Sequence, residues 1–278
     1  MKFTFKVSKS AVDAALETVI QKAVEQTTIK GFRQGQAPKN LVIERIGKEK
    51  LEQQALETVI PTAYTNEINT RKLKPIAYPK ITFKNPTKDQ AWEFEAEIAE
   101  YPEIKLGKYE DAIKGAGAKS KIWTPDQDKV TQKKLDPQEE ADKKLRLIFD
   151  ALLTTVELEV PSLLVDQEVD RMLSRLLEQL NKLGLDIDAY LTSVKHTKES
   201  LREQYLKTAT ESLKIEFILQ EIAKDMKLAV SDKEIDDFIA TIGDEKTKQR
   251  LNNPLEKANI KTILTKQQTL QKLQQLVV

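Results

Sequence analysis

From Ala141 to Leu276 the chain carries apolar residues at helical spacing almost without interruption. One stripe is Ala141, Leu145, Ile148, Phe149, Leu152 and Val156. Val160-Pro161 breaks it and begins a second, with Leu164, Val169, Met172, Leu173, Leu176, Leu180 and Leu183 before a stop at Gly184. Thr197 suits the N-cap of a third, which holds Leu201, Tyr205, Ala209, Leu213, Phe217 and Ile222. Ser231 with Glu234 forms a capping box ahead of Ile235, Phe238, Ile239 and Ile242, with Gly243 after. A turn at Asn252-Asn253-Pro254 leads into a last helix with Ile260, Leu264, Leu270, Leu273 and Leu276. An isolated helix does not hold such a stripe in water, so these must pack on one another or on a partner. No self-similar repeat is evident.

The first hundred residues follow a different pattern. Phe3, Phe5 and Val7 alternate with polar residues, as in a half-buried strand. Ser10 with Asp13 resembles a capping box and opens a helix on Val12, Leu16, Val19, Ile20 and Ala23. A short helix runs from Pro38 to Gly47, and a third uses Leu51, Ala55, Val59, Tyr64 and Ile68, with a kink or break expected at Pro61. Ile81-Thr82-Phe83 reads as a strand, residues 85–89 as a turn, and Trp92, Phe94, Ala96 and Ile98 as the clearest strand of the chain. The expected fold is an α+β N-terminal domain, a small antiparallel sheet plus helices, followed by a mostly α-helical C-terminal domain. Residues 1–112 form the first, 138–278 the second, and 113–137 a linker, in which Gly115-Ala116-Gly117-Ala118 is small and flexible. Trp123 stands apart within that linker and is expected to pack on a neighbouring domain.

Composition removes several classes of chemistry. Lys+Arg is 45 and Asp+Glu 44, so any nucleic-acid contact must be a local patch. Cysteine is absent and His196 is the one histidine, which excludes disulfides, Cys–His catalysis and His-rich metal sites. His196 precedes a helix start, where a solvated or capping role is expected. No Gly-rich phosphate loop is present, and the carboxylates of Asp166/Asp170 and Asp236/Asp237 sit on charged helix faces. The first residues have no apolar run of signal-peptide length, and the chain is read as soluble and cytoplasmic.

Gly31-Phe32-Arg33-Gln34-Gly35-Gln36-Ala37-Pro38 lies between two expected helices. Two glycines four apart permit a tight loop, and Pro38 suits a helix start. Phe32 and Arg33 together on a loop tip suit a contact with another molecule, though a plain connector has the same outline. Lys30, Lys39, Arg45, Lys48 and Lys50 surround them, interrupted by Glu44, Glu49 and Glu52.

This loop resembles the ribosome-docking signature of the trigger factor family, bacterial chaperones at the exit tunnel. That signature is Gly-Phe-Arg, any residue, Gly, usually Lys, any residue, Pro. Gln36 stands where Lys is usual, which removes one positive charge from the tip. Val160-Pro161 followed by Leu164-Val165-Asp166-Gln167-Glu168-Val169-Asp170 is similar to the start of the family's helical C-terminal domain. The resemblance covers 1–112 and 138–278. The family's usual prolyl-isomerase domain, of the FK506-binding-protein type, has no counterpart in the short stretch between Pro102 and Pro161.

The resemblance implies an ATP-independent chaperone. Gly31, Phe32, Arg33, Gly35, Pro38, Lys39 and Arg45 would meet a rim protein and ribosomal RNA at the exit tunnel. The helical half would shield unfolded nascent polypeptides, with Leu164, Met172, Leu176, Phe217 and Phe238 as candidate client contacts. Each of those five reads better as a core residue. No catalytic residue, metal, cofactor, membrane or small-molecule substrate is implied. The alternatives are a prolyl isomerase, which the family name suggests, and a holdase or adaptor that does not bind ribosomes.

Overall fold

Alternation at the chain start produces β1 (Lys2–Val7), which buries Phe3, Phe5 and Val7 on one face. The computed structural model describes residues 1–85, 91–120 and 137–277. They divide into two compact units, one of Met1–Tyr101 with Pro161–Leu164, the other of Pro102–Val160 with Val165–Val278.

In the first unit α1 (Lys9–Gln26) is capped by Ser8, whose Oγ accepts from the Ala11 N–H at 3.3 Å. The expected Ser10/Asp13 box does not form. Ser8 leaves the strand with extended backbone, φ −66° and ψ 147°, and so takes the cap position first. α2 (Lys39–Ile46) and α3 (Lys48–Arg71) follow. Pro61 lies inside α3, yet the helix is not broken there. Leu51 and Ala55 are fully buried, and Val59, Ile60, Ala63, Tyr64 and Ile68 pack against the sheet core. Packing on both sides of the proline offsets its cost of about 3 kcal/mol.

β2 (Lys80–Asn85) and β3 (Trp92–Glu97) complete an antiparallel sheet of order β1-β3-β2. Phe94 lies opposite both Phe5 and Phe83, so three rings meet across the sheet, with centroids 5.5 and 5.1 Å from that of Phe94. Beyond Asn85, the turn expected over 85–89 lies outside the described residues.

The second unit is helical: α4 (Tyr109–Ser120), α5 (Pro137–Thr155), α6 (Ser162–Lys182), α7 (Ile187–Ser193), α8 (Lys198–Asp225), α9 (Asp232–Ala240), α10 (Glu245–Leu251) and α11 (Pro254–Leu276). Its main core joins α4, α5, α8 and α11 through Ile113, Ile148, Leu152, Ile218, Ile222 and Leu273, all fully excluded from solvent. A second cluster packs Val165 and Val169 of α6 on Ala209 of α8, and a third packs Val230, Ile235 and Ile239 on Ile260. The caps at Thr197 and at Ser231/Glu234 form as expected.

The linker expected over 113–137 is helical in its first part. Gly115 and Gly117 lie inside α4, and a Cβ added at Gly117 would sit 3.2 Å from Val277 Cγ1. Gly117 therefore permits close packing of α4 beside the chain that leaves α11. Tyr109 also ties α4 down. Its hydroxyl donates to Asp225 Oδ2 at 3.0 Å, and burial, then this hydrogen bond, push its pKa up to about 12. Residues 121–136, with Trp123, lie outside the described residues.

Candidate docking loop and apolar groove

The loop from Thr27 to Pro38 is held at its base by side chains, among them two that the family resemblance offers as partner contacts. Arg45 Nη1 donates to the Thr28 carbonyl at 2.8 Å, and Lys39 Nζ pairs with Glu17 at 3.2 Å. Gln34 Nε2 reaches back to the Glu25 carbonyl at 3.3 Å. Lys39 and Arg45, expected as contacts to a partner, thus fasten the loop to α1 and its exit. Within the loop the Phe32 N–H donates to Ile29 and the Gln36 N–H to Arg33, both at 3.0 Å. Gly31 and Gly35 hold φ of +93° and +84°, values that cost an L-residue about 1 kcal/mol or more. Ala37 is buried and anchors the returning strand of the loop.

What remains at the tip is Phe32, 41% exposed, beside Arg33, which is exposed and whose guanidinium has no partner among the described residues. A ring of this size left in water on a fastened loop is an exposed apolar surface at the loop tip. Lys30 beside it is also unpaired, whereas Lys48 pairs with Glu52 at 3.6 Å. The loop therefore offers one aromatic ring and two free cations, and a guanidinium can grip a carboxylate or phosphate through two donors.

In the helical unit, α6, α7 and α8 enclose an apolar groove of about 300 Å³, lined by Leu173, Leu176, Leu177, Ile187, Leu191 and Leu201. Lys198 and Arg202 stand at its rim, paired with Asp188 at 2.9 Å and Asp166 at 4.0 Å. The hydrogen bond and charge of Asp188 hold the Lys198 ammonium above its usual pKa, so the rim stays charged. Leu177, Leu183 and Leu185 are exposed, at 46%, 71% and 48%. These leucines extend the apolar surface around the turn from α6 into α7.

Of the five expected client contacts, the groove gathers only Leu176. Met172 is half-buried against the α6–α8 cluster. Phe217 is 6% exposed on the buried face of α8, in line with the core reading that its sequence position favoured. Phe238 is 38% exposed on α9, and Leu164 is half-buried in the segment grouped with the first unit. Sequence reasoning missed Ile187 and Leu191 because α7 is only seven residues long. Its signal was present in Asp186, whose carboxylate caps the Asp188 N–H.

His196 is exposed, with Nδ1 3.0 Å from Ser200 Oγ at the start of α8. Among the described residues, no group of three or more His, Cys, Asp or Glu is placed to hold a metal, and no helix is long and apolar enough to cross a membrane.

Comparison with known proteins finds two family models that together span nearly the whole chain. The family model described as bacterial trigger factor protein matches residues 1–141, and that of the trigger factor C-terminus matches residues 128–275. The trigger factor of Syntrophomonas wolfei subsp. wolfei (strain DSM 2245B / Goettingen) is 38% identical over 105 residues, which is 38% of this chain and 24% of that protein. Those of Streptococcus mutans serotype c (strain ATCC 700610 / UA159) and Leuconostoc citreum (strain KM20) are 32% and 35% identical, over 39% and 38% of this chain and 25% and 24% of theirs. The chain thus spans about a quarter of the length of the curated relatives it matches. A solved structure described as "Promiscuous Substrate Recognition in Folding and Assembly Activities of the Trigger Factor Chaperone" shares the fold. Its TM-score is 0.55 at 12% identity, over 100% of this chain and 96% of that one.

Proposed function

The chain belongs to the bacterial trigger factor family, and from that we propose an ATP-independent chaperone that docks on the ribosome beside the exit tunnel. The observation that carries the reading is the pair Phe32 and Arg33, exposed side by side on a loop whose base is fastened. Phe32 enters an apolar recess of a rim protein, and Arg33 grips a neighbouring carboxylate or phosphate. Gly31, Gly35 and Pro38 set the backbone that presents them, while Lys39 and Arg45 hold it in place.

The α6–α8 groove then takes apolar segments of unfolded nascent chains. A leucine-lined surface with charged groups only at its rim binds weakly and with little sequence preference, which suits a holder of many clients. Clients leave by their own folding. The two matched ranges overlap over 128–141, so no unmatched stretch is left between them for an interposed prolyl-isomerase domain. The reading places its work in the cytoplasm, with ribosomes.

The leucine groove is complete without the loop, and this favours one second reading, a holdase that works away from ribosomes. Co-sedimentation with salt-washed ribosomes at two salt concentrations separates them. The intact chain is expected in the pellet, more weakly at high salt, and the folded Phe32→Ala/Arg33→Ala variant in the supernatant. Equal behaviour of the two proteins would leave the holdase as the better account.

A further inference from the structure

A second feature of the first unit lies beside the loop. α1, α2 and α3 enclose a groove of about 500 Å³, with Lys22 and Gln26 on the α1 wall and Lys50, Gln54 and Glu57 on the α3 wall. Its floor includes Ala23 and Ile46. Thr27 at the end of α1 and Ile46 at the end of α2 also line it, so one end of the groove opens at the base of the docking loop.

What sets this groove apart is that its free charge continues that of the loop. Lys39, Arg45 and Lys48 are engaged with Glu17, the Thr28 carbonyl and Glu52. The side chains of Lys22 and Lys50 have no ion pair or hydrogen bond among the described residues, and the same holds for the side chains of Lys30 and Arg33 on the loop. Four unengaged cations thus belong to the loop and the groove that begins at its base. The chain as a whole carries a formal charge of only +1, so a concentration of this kind is local. Gln26 and Gln54 add amide donors between the lysines. The one carboxylate on the lining, Glu57, accepts from Gln53 Nε2 at 3.1 Å, and that bond offsets part of its repulsion of an anion.

We infer that this groove is a binding track for the phosphate backbone of RNA, a second contact that continues from the loop tip. The inference rests on the docking reading above and gives it chemistry. The loop supplies an apolar anchor, and the groove supplies cations and amides spaced along a channel. Lysines offer point charges that suit a backbone read without regard to base sequence.

The test uses the full chain. Lys22→Gln/Lys50→Gln neutralises both cations on exposed helix positions, and Glu57→Gln removes the opposing charge. Ribosome pelleting is measured across a salt series, with Phe32→Ala/Arg33→Ala as control, and binding to a fluorescent 20-nucleotide RNA hairpin by anisotropy. The lysine variant is expected to lose about fivefold or more in affinity on both probes. The slope of log affinity against log salt should fall by about 1 for each phosphate contact removed. Glu57→Gln should bind both more tightly, which general damage to the fold would not produce.

A lysine variant that pellets like the intact chain while the loop variant does not would overturn the groove and leave docking intact. An intact chain that fails to pellet overturns docking and the groove's place in it together. Weakened pelleting with unchanged hairpin binding would make the groove's partner a protein surface and overturn the RNA assignment.

Discussion

At the residue scale, Tyr64 shows how a polar atom can be carried by the packing around it. Its ring stacks on Phe3 at 6.3 Å and meets Phe5 edge-on at 6.4 Å. Its buried hydroxyl has no hydrogen-bond partner among the described residues, and burial pushes its pKa up. An unsatisfied buried hydroxyl contributes desolvation cost and no bond, so Tyr64→Phe should leave stability unchanged or raise it by up to about 1 kcal/mol. Chemical denaturation followed by fluorescence measures this, and a loss of more than about 1 kcal/mol would mean that the hydroxyl has a partner. Single residues were also where the sequence was most informative about the loop. Gly31, Gly35 and Pro38 announced a tight turn before a helix, and Phe32 and Arg33 stand in solvent at its tip. Spacing could not show that Arg45 turns back to the Thr28 carbonyl, because that contact depends on how α1 and α2 are packed.

At the element scale, legibility followed length and cap chemistry. Helices with four or more turns and a stripe, such as α5, α8 and α11, were readable, as was the capping box of α9. α7 and α10 were not, since each is seven residues long, with one buried residue in α7 and none in α10. Their caps, Asp186 and Asp244, were the only local evidence. α4 was hidden by its glycines, which read as flexibility, although Gly117 lies against Val277. The Tyr109–Asp225 bond that fastens α4 makes a prediction with a definite sign. The tyrosine is 5% exposed, and its pKa is raised from 10.0 to about 12 in the folded chain. The unfolded chain therefore ionises first, so the stabilisation is complete below pH 10 and fades as pH rises from 10 to 12. The difference in denaturation midpoint between the intact chain and Tyr109→Phe should be constant below pH 10 and shrink above it. A difference that stays constant to pH 12 would mean that the hydroxyl is not held neutral.

At the scale of the whole molecule, the chain divides into units with separate cores, and the sequence already showed the change from strand alternation to helical stripes. The division falls after Tyr101, earlier than the expected 112, because Ile104, Leu106 and Tyr109 pack into the helical core. Each unit holds one of the proposed surfaces, the loop with its lysine groove in the first and the leucine groove in the second. Separate cores allow one surface to be damaged while the other is spared. Leu177→Glu puts a charge on the half-exposed wall of the leucine groove, where the side chain can reach water and the fold is expected to tolerate it. Suppression of aggregation of a chemically denatured model client should fall severalfold in this variant, while its pelleting with ribosomes stays at the level of the intact chain. Phe32→Ala/Arg33→Ala should show the opposite pattern. If Leu177→Glu kept full suppression while folded, the α6–α8 groove would not be the client surface. If it lost both properties, the two surfaces would not be separable, and the proposed division of labour between the units would fail.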